Sequence, residues 1–240
     1  MTETAPSPPT ALVTGGARGI GAAIVRDLAR DHRVIFTYRG AAAEAQALAA
    51  VLPDAQALPC DLADPDAPAR LIAAFFEITP RLDLLVNCAG TVEEEDPLGF
   101  DMASAERQMR VNALAPAALI SLAAPRMASG SAVVNITSVN ATFPPVAALT
   151  YAATKAALEN YTRGFAKALG PRGIRVNGLA PGPVERAHAP RAAELIALIE
   201  AETALGSLAT AGDVAAATRF LAEARGLTGV ILPVSRGFRL

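Results

Sequence analysis

The sequence predicts an α/β fold: a single domain built on a seven-stranded, doubly wound parallel sheet with helices on both faces. Seven short apolar segments alternate with Ala-rich segments long enough to form helices. Strands joined in this way are not hairpins, so right-handed crossovers must connect them into a parallel sheet. The strand segments are almost continuously apolar, as burial on both faces requires. With 240 residues, 52% of them hydrophobic, the chain can form one sizeable core.

The predicted strands are, in chain order, ALVT at 11–14, RVIFTY at 33–38, QALPC at 56–60, LDLLVN at 82–87, AVVNIT at 132–137, IRVNGLA at 174–180 and GVILPV at 229–234. Residues 1–9 are polar and Pro-rich, so we expect a flexible tail followed by one domain over 10–240. No internal repeat or further linker is visible. Ligands of such sheets bind outside the carboxyl ends of the strands, where the functional residues are expected.

Composition argues for small-molecule chemistry. The formal charge is -2 and the Lys and Arg residues are scattered, so the chain lacks the basic patch that nucleic acid or an anionic membrane would need. The first residues, MTETAPSPP, do not resemble a signal peptide, and no apolar run is long enough to span a membrane. We therefore expect a cytoplasmic protein.

Metal and disulfide chemistry are not expected. Cys60 and Cys88 each lie near the end of a strand-like run, where a small buried thiol is ordinary. His32 and His188 are far apart and have no nearby Cys, and no cluster has metal-ligand spacing.

A glycine-rich loop, TGGARGIG at 14–21, directly follows the first strand and precedes an Ala-rich segment. Glycines allow a tight turn and close approach of a pyrophosphate, and a helix N-terminus offers free N–H groups and a favourable dipole. A purely structural turn is the alternative. The order strand, loop, helix favours dinucleotide binding in a Rossmann fold.

Tyr151 and Lys155 are four residues apart in an otherwise apolar helical segment, LTYAATKAAL. Positions four apart share a helix face, so the two side chains can approach one point. A nearby ammonium stabilises a phenolate, which makes a tyrosine useful in proton transfer. For an isolated pair, a packed ring beside a lysine that reaches water is the simpler interpretation.

Several motifs in order make the sequence resemble the short-chain dehydrogenase/reductase family over nearly its whole length. They are the TGxxxGIG spacing of the loop, NCAG at 87–90, VN at 111–112, NITSV at 135–139, YAATK at 151–155 and PGPV at 181–184. Cys88 replaces an Asn of the family's NNAG motif. Each motif alone is weak, but their shared order and spacing are specific.

The resemblance implies that Tyr151 is the general acid/base for a carbonyl substrate, assisted by Lys155, which also holds the nicotinamide ribose. Ser138 would bond the same substrate oxygen, and Asn112 would hold a water in a proton relay. Developing negative charge on that oxygen needs such donors. Taken alone, Ser138 fits a helix or turn cap and Asn112 fits a bond to local backbone.

The resemblance also assigns a cofactor site to Gly15, Ala17, Arg18, Gly19, Ile20, Gly21, Tyr38, Arg39, Asp61, Leu62, Asn87, Ala89, Gly90, Tyr151, Lys155, Pro181, Gly182 and Val184. In this pattern Asp61 meets the adenine amino group, and it could also cap the next helix.

The second strand ends in FTYRG, which predicts NADP(H) as the cofactor. NAD-selective folds carry a carboxylate at this point, whereas here Arg39 follows the strand and the first carboxylate is Glu44. Arg39, with Arg18 from the glycine loop, suits a 2′-phosphate. The alternative is that both are plain surface cations.

The expected activity is NADPH-dependent reduction of a small-molecule or acyl-thioester carbonyl, as in the 3-oxoacyl-carrier-protein reductases that the sequence resembles. An alcohol or sugar dehydrogenase and a non-catalytic cofactor sensor are the alternatives. The expected pocket residues are Ser138, Val139, Asn140, Phe143, Val146, Tyr151, Val184 and His188. A helical segment at about 184–206 would cover the substrate, although its apolar face also fits ordinary packing.

Two segments depart from the family pattern. After PG, the sequence continues with Pro183 to Arg186 where a Thr is common, so the Val184 N–H is left to meet the nicotinamide carboxamide. PVSRG at 233–237, with Ser235 and Arg236, replaces a VDGG motif. The Ala-rich helices at 103–127 and 151–169 predict a homotetramer, because the equivalent helices of family members pair across subunits; a monomer is the alternative.

Overall fold

The computed structural model describes residues 8–185 and 191–240. Seven strands of these described residues form one sheet: β1 (Thr10–Val13), β2 (Arg33–Tyr38), β3 (Ala55–Pro59), β4 (Leu84–Asn87), β5 (Ala132–Ile136), β6 (Arg175–Pro181) and β7 (Ile231–Val234). Their order is β3-β2-β1-β4-β5-β6-β7, and every neighbouring pair is parallel. The predicted seven-stranded parallel sheet is confirmed.

In the part of the chain that the structure describes, eight α-helices connect or flank the strands: α1 (Gly19–Leu28), α2 (Ala42–Ala50), α3 (Ala67–Ile78), α4 (Met102–Met109), α5 (Ala115–Ala123), α6 (Leu149–Leu169), α7 (Ala193–Ala201) and α8 (Ala211–Glu223). A π-helical turn, Arg110–Leu114, joins α4 to α5 without a break. Within the ranges just given, no helix has both the length and the apolar character to cross a membrane.

Two apolar cores lie on opposite faces of the sheet. Alternate residues of each strand supply them, as the pleat requires: Val13 of β1 belongs to one core and Leu12 to the other. Helices α1, α2 and α8 cover the first face, and α3, α5 and α6 cover the second. The doubly wound arrangement is therefore observed as predicted.

Strand order reverses between β1 and β4, because the chain builds outward to β3 in one direction and to β7 in the other. In open parallel sheets, ligands bind at this point, outside the carboxyl ends of the strands. The predicted glycine loop and the NCAG motif both lie at this point. The predicted tail, 1–9, falls almost wholly outside the described residues.

Candidate active site

The glycine loop is tied to the end of β4 by Thr14. Its hydroxyl oxygen accepts hydrogen bonds from the N–H groups of Cys88, at 3.0 Å, and Ala89, at 3.1 Å. Gly15 has φ +69°, and a Cβ placed on it would lie 2.8 Å from the Cα of Ala89. Only glycine can take both this backbone conformation and this approach. The glycine loop and the NCAG motif are therefore hydrogen-bonded and closely packed against each other.

Helix α1 begins within the glycine loop, at Gly19. Arg18 occupies its N-cap position, makes no side-chain capping bond, and is followed by no acidic residue in the first turn. The first N–H groups of a helix have no partner inside the helix, and the dipole there is positive. The first turn of α1, which contains Ile20 and Gly21, is therefore suited to an anion such as a pyrophosphate.

A cleft of about 470 Å³ lies beside the ends of β2 and β3, and both Arg39 and Asp61 line it. The structure thus brings together two residues predicted for the adenosine half of a cofactor. Asp61 accepts a 3.0 Å bond from the N–H of Ala63. It does not cap α3, which begins only at Ala67, so that alternative is wrong.

Arg18 lies across from α2. Its guanidinium is 3.7 Å from the carboxylate of Glu44, and both side chains are about half exposed. The pair is loose and solvated, which leaves the Arg18 donors accessible.

Tyr151 and Lys155 lie in the first two turns of α6, with the ammonium 5.6 Å from the centre of the phenol ring. Lys155 is 4% exposed and donates a 2.8 Å bond to the carbonyl oxygen of Ile136, the last residue of β5. Among the described residues, no carboxylate pairs with this ammonium. The lysine does not reach water, so the simpler interpretation of the pair is wrong.

Asn112 sits in the π-helical turn and is fully buried. Its amide holds both backbone groups of Thr91 at 2.8 Å and donates to the Thr154 hydroxyl at 3.1 Å. Thr154 in turn donates a 2.7 Å bond to the carbonyl of Tyr151. Asn112 therefore links the loop after β4 to α6. Its expected role in holding a water stays a prediction.

Ser138 follows β5 and is 8% exposed. Its hydroxyl oxygen accepts a 3.1 Å bond from the N–H of Asn140 and so caps a short 3₁₀ turn. This is the capping role that was one interpretation of the residue. It leaves the hydroxyl hydrogen available, because no acceptor for it occurs in 8–185 or 191–240.

Asn87 and Asn135 form a buried polar chain between β4 and β5. Asn87 donates to Asn135 at 2.8 Å, and Asn135 donates to the hydroxyl of Thr162 at 2.9 Å. The Oδ1 atom of Asn87 is buried and has no hydrogen-bond partner among residues 8–185 and 191–240. An unpaired buried acceptor is costly, and it is what a site for a hydroxylated ligand would contain.

The PG motif at the end of β6 contacts the C-terminal segment. Gly182 donates a 3.0 Å bond to Val234, and a short parallel bridge pairs Val184 with Ala209. The bonds of this bridge use Pro183 and Glu185, so the N–H of Val184 lies outside it. Arg236, in the segment that departs from the family pattern, contacts Asp213 at 3.0 Å and so has a partner within the chain.

The expected pocket residues Val139, Asn140, Phe143 and Val146 follow Ser138 in the β5–α6 connection. Val139 is buried, Phe143 is partly exposed and Val146 is 70% exposed. Within the segment expected to cover the substrate, α7 buries none of its residues, and Leu195 and Leu198 are exposed. This is not the burial of an ordinary packing helix. His188 and Arg186 lie outside the described residues.

Side chains with structural roles at the site that were not predicted include Thr14, Thr37, Asn135 and Glu95. The hydroxyl of Thr37 accepts a 3.1 Å bond from the N–H of Gly15, and Glu95 accepts one at 2.9 Å from the N–H of Thr150. Thr14, Thr37 and Asn135 are polar residues in or just after apolar strands, a signal that could have identified them. Nothing in the sequence near Glu95 identifies its partner, which is 55 residues away.

The site offers uncapped helix N–H groups at α1, a buried ammonium at Lys155 and hydroxyl groups at Tyr151 and Ser138. No group of three or more His, Cys, Asp or Glu side chains in the described part of the chain could hold a metal ion. These are the elements of dinucleotide binding and proton transfer.

Comparison with known proteins gives a consistent set of relatives. Residues 15–239 match the family model described as enoyl-(acyl carrier protein) reductase. The chain is 35% identical to the short-chain dehydrogenase/reductase FrzI of Cladobotryum sp, over 95% of this chain and 94% of that protein. It is 34% identical to the rhamnolipids biosynthesis 3-oxoacyl-(acyl-carrier-protein) reductase of Pseudomonas aeruginosa, over 96% of each. A blue fluorescent protein from a metagenomic library, solved with NADPH, matches with a TM-score of 0.92 and 35% identity, over 98% of this chain and 99% of that one.

Proposed function

The chain belongs to the short-chain dehydrogenase/reductase family, and from this premise we propose that it reduces a carbonyl compound to an alcohol with NADPH. The substrate class is a ketone or a 3-oxoacyl thioester. The relative from Pseudomonas aeruginosa, which is named a 3-oxoacyl reductase, supports this class.

One observation carries the proposal: Lys155 is a buried ammonium, bonded to the carbonyl of Ile136 and without a carboxylate partner in the described residues. An ammonium has three donors, so two remain for other acceptors. Burying a charged group whose donors are not all paired costs free energy. Ribose hydroxyls and a phenolic oxygen one helical turn away would supply the missing partners.

The residues present fit a nicotinamide dinucleotide. The first turn of α1 has no side-chain cap from Arg18, so its free N–H groups would bind a pyrophosphate. The unpartnered Oδ1 of buried Asn87 is an acceptor for a hydroxyl group. Arg39 and Arg18 supply cations for a 2′-phosphate, and the relative solved with NADPH supports this choice.

The side chains divide the work at the substrate. When bound, the cofactor supplies the hydride. Addition of hydride to a carbonyl places negative charge on its oxygen, and Tyr151 donates a proton to that oxygen as the charge develops. Ser138 has a hydroxyl hydrogen available for the same oxygen, and Lys155 stabilises the phenolate that remains. The exposed apolar side chains of α7 suit it to closing over the substrate.

We also infer that the protein assembles as a homotetramer. Phe100, Met102, Leu114 and Leu149 are all more than 40% exposed on one surface formed by α4, the π-helical turn and α6. A contiguous apolar surface of this kind is typical of an interface.

The test is NADPH oxidation, followed by absorbance, over a panel of ketones and 3-oxoacyl thioesters. Tyr151→Phe keeps the ring but removes the hydroxyl, so turnover should fall by roughly 10²–10⁴-fold while NADPH binding is retained. Tyr161→Phe, on the same helix, is the matched control and should leave turnover unchanged. Near-normal turnover in Tyr151→Phe would contradict the role of Tyr151 as the proton donor.

A further inference from the structure

Helix α6, which carries Tyr151 and Lys155, begins without a cap of its own. Ala148 occupies the N-cap position, no side chain there makes a capping bond, and the first turn contains no acidic residue. The first N–H groups of a helix need acceptors from elsewhere. Tyr151 is the third residue of this helix, so any movement of its first turn moves the phenol.

Glu95, from the loop after β4, supplies the missing acceptor. Its Oε2 atom accepts a 2.9 Å bond from the N–H of Thr150, and its own N–H donates to the carbonyl of Ala147 at 3.0 Å. Partial burial alone would raise the pKa of Glu95. Hydrogen bonds from Thr150, from Gln108 and from the Leu149 N–H outweigh burial and lower this pKa, so the carboxylate stays ionised at the helix N-terminus.

Glu95 is itself held from the other side by α4. Gln108, which is fully buried, donates a 2.9 Å bond to Oε1 of Glu95. The carbonyl oxygen of the same amide accepts a 3.3 Å bond from the N–H of Glu93. Arg107 binds both carboxylate oxygens of Glu93, at 3.0 and 2.6 Å, so the loop is anchored at two successive points.

We propose that Glu95 is a positioning residue for carbonyl reduction: it caps α6 from another segment of the chain and fixes the first turn, so that the Tyr151 hydroxyl is held where the substrate oxygen arrives. This inference rests on the proposed function of Tyr151. Glu95 acts through Thr150 and donates nothing to the substrate. Because small displacements of a catalytic group cost large factors in rate, a cap at this position affects kcat more than binding.

The test compares Glu95→Ala with Glu94→Ala. Glu94 is the exposed neighbour in the same loop, and it makes no hydrogen bond or ion pair in the described residues. Hydrogen exchange of the segment 147–155, measured by mass spectrometry, should become about tenfold faster in Glu95→Ala, as for loss of one cap, and stay unchanged in Glu94→Ala. In the same Glu95→Ala protein kcat should fall by roughly 10- to 100-fold, with the Kd of NADPH unchanged.

Glu95→Gln keeps one acceptor oxygen for Thr150 and should recover most of kcat, which loss of general packing would not predict. If Glu95→Ala does not fold, Glu95→Gln takes its place in the kinetic and exchange measurements. The inference is overturned if exchange over 147–155 does not change, if kcat of the folded enzyme equals that of wild type, or if NADPH binding is lost together with activity. A wild-type enzyme that reduces no carbonyl would contradict the proposed function instead, while the exchange measurement would still decide whether Glu95 caps α6.

Discussion

The ammonium of Lys155 donates a 2.8 Å hydrogen bond to the carbonyl oxygen of Ile136. Ile136 ends β5 and Lys155 lies in the second turn of α6, so this bond joins the proposed catalytic helix to the carboxyl end of a central strand. Gly90, after β4, lies beside the same ammonium: a Cβ built on it would be 3.6 Å from the nitrogen. Lys155 therefore lies where β4, β5 and α6 meet.

Replacing Lys155 should damage binding and chemistry together. Lys155→Met keeps the apolar stem but removes three donors and a charge. Bonds to a charged group contribute about 1.5–3 kcal/mol, so NADPH should bind roughly 10- to 100-fold more weakly, and turnover should fall further. Lys167, the chain's only other lysine, is exposed on the same helix, and Lys167→Met is the control. Fluorescence titration measures NADPH binding, and a Lys155→Met enzyme that bound NADPH as tightly as wild type would contradict this role.

Thr14 should prove essential to stability. Thr14→Val keeps the shape of the side chain but leaves the N–H groups of Cys88 and Ala89 without their acceptor. Each partly buried donor without a partner costs about 1–3 kcal/mol, so the two together should lower the free energy of unfolding by roughly 2–6 kcal/mol. Thr14→Ser retains the oxygen and should lose about 1 kcal/mol. Urea unfolding measures both, and equal midpoints for Thr14→Val and wild type would show that the two bonds contribute little.

The fold could be predicted because its determinants are local and repeated. An apolar run such as 132–137 indicates a strand buried on both faces, and a glycine loop between strand and helix favours dinucleotide binding. The same holds for Tyr151 and Lys155, whose shared face follows from helical spacing alone. Crossover handedness then leaves few ways to arrange seven such strands.

The remaining features depend on contacts between distant segments, which periodicity does not contain. The π-helical turn that contains Asn112 has no signature in RVNAL, and the contact of Asn112 with Thr91 joins residues 21 apart in the sequence. Glu95 lies in an acidic run that is typical of a solvated loop, yet its carboxylate accepts a hydrogen bond from the N–H of Thr150. The pairing of Arg236 with Asp213 likewise joins two residues 23 apart in the sequence, a contact that no local pattern indicates.

Cofactor preference should depend on Arg39. Arg39→Asp removes a cation from the cleft that also contains Asp61 and adds repulsion toward a 2′-phosphate, so NADPH affinity should fall by roughly 100-fold and the preference should turn to NADH. Arg163→Asp makes the same change of charge on an exposed face of α6 and should leave the preference intact. Titration of wild-type enzyme that found equal affinity for the two reduced cofactors would refute the assignment.

The cysteines should be slow to alkylate. Burial, with a smaller contribution from the Asp61 charge, raises the pKa of Cys60 to about 11, and burial raises that of Cys88 to about 12. A raised pKa keeps a thiol protonated, so near pH 8 the reactive thiolate of Cys60 should be about 100-fold scarcer than in an ordinary cysteine.

The rate with iodoacetamide should rise about tenfold per pH unit from 8 to 10 in Cys88→Ser, which leaves only Cys60. Because Cys60 lines the same cleft as Arg39, saturating NADPH should protect it. Alkylation at pH 8 as fast as in a free cysteine peptide, or no protection, would contradict the environment described for this thiol.

Assembly should depend on the apolar surface formed by α4, the π-helical turn and α6. Leu114 is 46% exposed and Leu149 is 41% exposed, both on the groove that Phe100 and Met109 line. With a chain mass of 24.6 kDa, a tetramer has four times that mass, about 98 kDa.

A carboxylate buried in an interface without a partner is strongly unfavourable, so Leu114→Glu or Leu149→Glu should yield smaller species of normal helical content. Val51→Glu, at a 73% exposed position after α2, should leave the mass unchanged. Light scattering at micromolar concentration measures the mass of each variant. A wild-type mass of one chain would rule out the tetramer. An unchanged mass in both leucine variants would place the interface elsewhere.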